Sequence, residues 1–464
     1  MNNYYYGISI YSIQEFIFET NKLREIVGAS EIVETVCKTQ FQQHFKAYLT
    51  DAVILLQAAG NVRCIFSITD NDLPEFKECY AKFTKKLTLA YPELKFCQAI
   101  HSLPTKEITQ KEVTALNATI VSKKQQPFFY NRLAFMGVKR NQRTGKIQSN
   151  TNTHYDLATT EKDSYKDGKL LLKKLEDLQV DFPKELDDIA SEQSYMALIH
   201  IDANGLGNIV NAMLKENNGS SVLKSFSLAL EAATINALKT AIKETFPIET
   251  AATAENKSIP FRPVIIGGDD ITIIIKAEKA LKFTEVYLTT FEAETEKIKQ
   301  LKDIGLTACA GIAFTKQKFP LHYTADLVEN LCKSAKEGSN RKYSAIRMHR
   351  VRNTYARDYD RIIETELSLN GESAFYNEKP FSIEELIQFQ KDVAETKADK
   401  FPRADVENYL SQRINGNPQA AFMKRRMLAK LPKSESAFIK NMENEPLDLP
   451  YLYALTNLQK FIDS

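Results

Sequence analysis

Two adjacent carboxylates stand between two strand-like runs of this chain. Residues 263–277 read PVIIGGDDITIIIKA, so β-branched stretches flank Gly267-Gly268-Asp269-Asp270 in the pattern of two strands joined by a tight turn. Glycines there let the backbone turn and leave room for a nucleotide, and paired aspartates offer the charged oxygens that magnesium or manganese prefers. Such a cation neutralises phosphate charge and aligns attacking and leaving oxygens in nucleotidyl transfer. An ordinary turn uses the same residue types. A further carboxylate strengthens the chemical reading: Asp202 ends the apolar run MALIHID, and a shared sheet would bring it beside the hairpin tip. The alternative for Asp202 is an N-cap for the helix that follows.

Behind Asp202 the residues Ala203-Asn204-Gly205-Leu206-Gly207-Asn208 form a turn into a helix, whose free backbone N–H groups can hold phosphate oxygens. The string GLGNIV is not a dinucleotide fingerprint, because Val210 stands where the third glycine belongs and no parallel βαβ unit surrounds it. Further on, Leu327, Leu331 and Ala335 make an apolar helical stripe, and Lys336 precedes the stop signal Gly338. Lys336 either serves the helix dipole or reaches a triphosphate.

The elements that must position these groups occur twice. A strand over 4–10 is followed by helical patterns at 13–26 and 30–48, a hairpin AVILLQ/VRCIFSI around Ala58-Ala59-Gly60-Asn61, a helix at 72–90, a strand at 94–100 and a helix at 106–123. The order returns from Tyr195, with Ala58–Asn61 falling where Gly267–Asp270 falls and FCQAIHSL where ACAGIAFT falls. The expectation is an α+β chain with two ferredoxin-like domains, 1–126 and 195–350. A linker and helical insert at 127–194 joins them, and a helical domain at 351–464 follows.

A length of 464 residues with 43% apolar and 26% charged residues fits a globular protein of two or three domains. Net charge is only +2, so the whole molecule has no field that would hold nucleic acid, although the 127–146 linker and MKRRMLAK are local basic clusters that are either docking points for RNA or a partner or simply solvated faces. No run approaches the roughly 18 apolar residues of a membrane span and the N-terminus lacks a signal-peptide pattern, so no membrane and a cytoplasmic location are expected. The six cysteines are scattered within apolar segments and read as reduced core residues.

Taken in order, IHIDANGLGN, IGGDD, ACAGIAF and AKEGSNR resemble the diguanylate-cyclase type of palm domain. More closely, the chain resembles over nearly its full length the two-palm cyclase-polymerase subunit of type III CRISPR effector complexes. YYYGISIYSIQEFIFETNKLREIVGASEIV matches that family's opening strand and glutamine-containing helix, and its first palm hairpin is likewise degenerate. The resemblance implies ATP in the second palm, magnesium or manganese on Asp202 and Asp270 with help from Asp269, and phosphate contacts from Asn204, Gly205, Leu206, Gly207, Gly267, Gly268 and Lys336. It further implies a cyclic oligoadenylate or related adenylated signal as product. Partner CRISPR subunits, with guide and target RNA held through the complex, are implied too. No histidine is followed by Asp, so the HD nuclease of many members is not expected, and MGVKRNQRTGK offers no cysteine for their zinc ribbon. Two other readings are a silent scaffold subunit binding RNA and proteins, and a stand-alone diguanylate cyclase. The scaffold has no chemical need for four polar groups at one tip, and the cyclase leaves the first palm and the helical C-terminus unexplained.

Overall fold

The computed structural model describes residues 2–126, 136–149, 153–215, 219–247, 258–301, 305–352, 358–368, 376, 379–398, 401–432, 437–442 and 447–461. Strands β1 (Asn2–Ile10), β2 (Val53–Ala58), β3 (Asn61–Ile68) and β4 (Phe96–Leu103) form an antiparallel sheet in the order β2-β3-β1-β4. Strands β5 (Tyr195–Ala203), β6 (Phe261–Ile266), β7 (Asp270–Lys276) and β8 (Ala308–Lys316) repeat that order as β6-β7-β5-β8. This second sheet is widened by β9 (Ala345–Arg350), parallel to β8, and by the short β10 (Phe381–Ser382). The expected α+β, two-palm architecture is therefore the one present.

Register aligns the halves residue by residue. Ser9 of β1 lies between Asn61 and Cys97, and Asp202 of β5 lies between Asp270 and Cys309. The two domains fill their cores differently. Tyr6, Phe41, Phe45, Phe66, Phe76 and Phe83 pack ring on ring in the first, whereas Ile199, Ile201, Ile271, Ile273 and Ile275 line the second. One contiguous apolar core nevertheless runs through both palms into the C-terminal helices, which disfavours free relative motion of the parts.

Several elements depart from the sequence reading. The break expected near Gly28 is absent: a helix runs through it from Leu23 to Thr35, and the interruption lies at 18–22 instead. Gly28 serves close approach, since a Cβ there would overlap the backbone carbonyl of Lys162 in the crossing helix Leu157–Ser164. Beyond residue 351, where only helices were expected, β10 adds to the sheet before the helices Ile383–Ala398, Arg403–Ile414, Ala420–Ala429 and Leu449–Leu458.

The basic linker also differs from expectation. PFFYNRLAF (127–135) lies outside the described residues, but 139–148 forms a small knuckle bridged from Arg140 to Ile147. Asp156 accepts from Asn141 Nδ2 at 2.7 Å and Thr144 Oγ1 at 2.6 Å, which fixes the turn. Arg143 pairs with Glu25, Lys146 with Glu19 and Glu93, and Lys162 with Glu19. Lys146 and Lys162 are buried against their carboxylates, whereas Lys139, Arg140 and Arg143 are exposed. In the second basic segment Arg426 and Lys430 both pair with Asp405. All six cysteines are free thiols, five of them buried. Among the described residues no helix is long and apolar enough to cross a membrane.

Candidate active site

Strand alternation sets the site. Along β5, Ile199 and Ile201 face the core, while His200 and Asp202 face the opposite side of the sheet. Asp270, the first residue of β7, is the direct cross-strand partner of Asp202. Like charges so placed repel, since their Cβ atoms stand only about 5 Å apart. Lys336 relieves part of this: its Nζ donates to Asp202 Oδ2 at 2.5 Å and to Ala203 O at 2.9 Å. Its helix, Leu321–Gly338, lies against the sheet because Gly311, opposite His200, has no side chain where Val328 O and Cys332 N pass. Lys336, read from sequence as a dipole partner or a triphosphate ligand, is in this structure the counter-ion of Asp202.

The hairpin tip is held from behind. Thr234 Oγ1 of the long helix Gly219–Thr245 donates to Gly268 O at 2.8 Å, and Lys174 Nζ donates to Ile266 O at the same distance. Gly267 is required for space: a Cβ there would overlap Asp270 Oδ1 and meet the Ala59 Cβ of the first palm at 3.0 Å. Around Gly268 there is open room. Asp270 Oδ1 is buried without a hydrogen-bond partner. Burial first, then Asp269 and Asp202, raise the Asp270 carboxyl to about 7. Burial and Asp202 raise Asp269 to about 6, against the opposing pull of Lys336.

Both palms enclose the cleft in front of these carboxylates, a cavity of about 650 Å³. The second contributes His200, Asp202, Asp269, Asp270, Asp326 and Glu329; the first contributes Tyr11, Ser12, Gln14, Ala59, Asn61 and Lys124 among others. Gln14 comes from the glutamine-containing helix that the sequence flagged, whereas His200, Asp326, Glu329 and Lys124 were not singled out. His200 was legible as the residue two before Asp202 on the same strand face, and Asp326 and Glu329 as an i, i+3 pair on the Lys336 helix. His200 Nδ1 pairs with Thr272 Oγ1 at 2.9 Å, and burial lowers its pKa to about 4, so it stays neutral.

The turn Asn204-Gly205-Leu206-Gly207 does open a helix, Leu206–Met213, with Gly205 left-handed at φ 70°. Gly205 and Gly207 have open space around them, and the half-buried Leu206 side chain packs on the core. Asn204 is buried and donates to Thr307 Oγ1 at 2.9 Å, its Oδ1 left without a partner. None of these four residues, nor Lys336, is among the described residues lining the cleft between the palms. Asp202, Asp269 and Asp270 therefore line the cleft together, whereas the turn expected from sequence to contact phosphate does not line it.

The donor set fits a divalent cation. Like-charged carboxylates crowd one tip, and one of their oxygens is buried and unpaired. Among the described residues no three His, Cys, Asp or Glu side chains converge to hold a metal by themselves. A site of two aspartates suits magnesium, which usually completes its shell with water and substrate phosphates.

Residues 195–345 match the family described as Cas10/Cmr2, second palm domain. No curated protein sequence matches the chain. Among solved structures, the Csm1-Csm4 cassette in complex with cA4 is similar at TM-score 0.63 and 14% identity, covering 99% of this chain and 70% of the other. The apo cassette gives 0.62 at 14% identity over 99% and 69%, and the Csm1-Csm4 subcomplex of the type III-A CRISPR-Csm interference complex gives 0.61 at 13% over 99% and 70%. At these identities the likeness is one of fold.

Proposed function

We propose that this chain, whose residues 195–345 match the Cas10/Cmr2 second palm domain, is a Cas10-type subunit and a nucleotidyltransferase of type III CRISPR defence. It joins ATP into a cyclic oligoadenylate or a related adenylated signal nucleotide. The observation that carries this reading is the direct pairing of Asp202 with Asp270 at a hairpin tip that faces a cleft closed by the other palm.

In this reading Asp202 and Asp270 hold magnesium or manganese with help from Asp269. When bound, the cation neutralises phosphate charge and aligns the oxygens that attack and leave. The 3′-hydroxyl of one nucleotide attacks the α-phosphate of another, and pyrophosphate departs. Lys336 pairs with Asp202 and orients it, Gly267 gives the Asp270 carboxylate its room, and Thr234 and Lys174 fix the tip from behind. The first palm supplies the facing wall of the cleft, and shielding from water strengthens each charge interaction inside it. Solved cassettes with cA4, with cA3 and with one ATP share this fold, which supports an adenine nucleotide as the ligand class.

The test is incubation with each α-labelled nucleoside triphosphate and magnesium or manganese, for the chain alone, with partner subunits and guide RNA, and with matching target RNA added. The expected result is pyrophosphate release and adenylated product from ATP, strongest in the last condition. Absence of product in every condition would leave the scaffold reading.

A further inference from the structure

A second large cavity, about 890 Å³, opens at the other end of the same sheet. Tyr195 starts β5, Lys316 ends β8 and Arg350 ends β9, so this cavity stands roughly 20–25 Å along the strands from Asp202. Its remaining walls come from the helices Arg403–Ile414 and Leu449–Leu458. The charged residues of the catalytic cleft are seven carboxylates and one lysine. Here Lys316, Arg350, Arg352 and Arg403 face a single carboxylate, Glu407, which pairs with Arg403 at 3.0 Å.

Part of this charge serves packing. The Arg350 guanidinium lies 5.4 Å from the Tyr195 ring centre and donates to its hydroxyl at 3.2 Å, and Arg352 lies 5.5 Å from the Tyr453 ring and donates to Asn457. Rings and neutral oxygens leave most guanidinium donors unused and cancel no charge. Arg350 Nε is buried without a hydrogen-bond partner. Lys316 is exposed on the rim, and Phe319 adds a half-buried aromatic surface.

We propose that this basic, aromatic-lined cavity is a second binding site, distinct from the catalytic cleft, for a nucleoside phosphate. Guanidiniums of Arg350 and Arg352 with the Lys316 ammonium take the phosphate oxygens, and the rings flank the base or sugar. The phosphate comes either from a free nucleotide or from an RNA strand; charge and stacking are shared by both.

The experiment uses the full chain with Asp202→Asn and Asp270→Asn, which removes the carboxylates of the catalytic cleft. Binding of a labelled ten-nucleotide oligoribonucleotide and of labelled ATP is followed over a salt series. Saturable, salt-sensitive binding should persist in this background. Adding Lys316→Glu with Arg403→Gln, both on the rim, should weaken it about tenfold or more and flatten the logarithmic salt slope by roughly one unit per cation removed. Arg350→Met is the stricter variant and is read only with an unchanged melting curve. Tighter binding of the oligonucleotide identifies a strand as the source; equal or tighter binding of ATP identifies the free nucleotide. If neither probe binds, or if affinity and salt slope ignore the rim substitutions, the site does not exist.

Discussion

Ser9, Asn61 and Cys97 of the first sheet occupy the register positions that Asp202, Asp270 and Cys309 occupy in the second. The strand order is the same and the carboxylates are gone. The tips differ in backbone as well: Ala59 and Gly60 take left-handed φ values of 47° and 74°, as in the primed turns that suit hairpins, whereas no residue from Gly267 to Asp270 has positive φ. Glycine in the second tip therefore provides space, for the Asp270 carboxylate and for Ala59 across the interface. Topology supplies the two opposed positions, and the residue types placed there determine whether one palm carries the chemistry or walls the cleft.

The largest effect expected on that contrast is loss of the acid pair. Asp202→Asn or Asp270→Asn should lower product formation on the order of 10²–10³-fold, while Ser9→Ala with Asn61→Ala keeps it within about tenfold. Initial rates at saturating ATP measure both. Equal losses from the two palms would erase the distinction.

A smaller loss separates the two glycines of the tip. Gly267→Ala displaces Asp270 and should slow turnover about 10–100-fold, since misplacement near 1 Å costs that much. Gly268→Ala meets nothing and should be close to wild type. Matching rates for the two variants would place the Asp270 carboxylate elsewhere.

Next comes the counter-ion. Lys336→Met leaves Asp202 and Asp270 opposed without compensation, and the metal concentration for half-maximal activity should change by about tenfold or less, because Asp202 is 38% exposed and solvent screens the pair. An unchanged metal dependence with weaker ATP binding would return Lys336 to the triphosphate role expected from sequence.

The smallest effect is on stability. Asp269 and Asp270 have folded-state pKa values of about 6 and about 7, above the ordinary aspartate value near 3.9. The folded chain therefore binds more protons than the unfolded one, so metal-free stability is greatest at low pH and falls as pH rises from about 4 through 7. Asp270→Asn should raise the metal-free melting temperature at pH 8 by roughly 2–4 °C per kcal/mol relieved, with little change at pH 4. Metal added to wild type should do the same at pH 8. A flat difference across pH would show that the carboxylates do not oppose folding.

Sequence reading reached the two palms because hairpins carry short-range signals: β-branched runs around GGDD and AAGN align to the residue with the observed register. It misread what distant partners decide. Gly28 resembles a helix stop, and only the Lys162 backbone, far along the chain, explains it. In the basic knuckle, Arg143 pairs with Glu25 and Lys146 with Glu19 and Glu93, contacts between distant residues that sequence order does not reveal. At the site, Asp202, Asp269 and Asp270 were legible from strand ends and turn chemistry. The cleft wall from the first palm and the Lys336–Asp202 pair were not, because contacts between separate elements leave no local pattern.

Manganese titration followed by electron paramagnetic resonance, with ATP present, tests the central claim most directly. Wild type and Ser9→Ala/Asn61→Ala should bind nucleotide-dependent manganese alike, and Asp202→Asn/Asp270→Asn should lose it with the fold intact. Retention of the ion in the second-palm variant, or its loss in the first-palm variant, would contradict the assignment of the metal centre to Asp202 and Asp270.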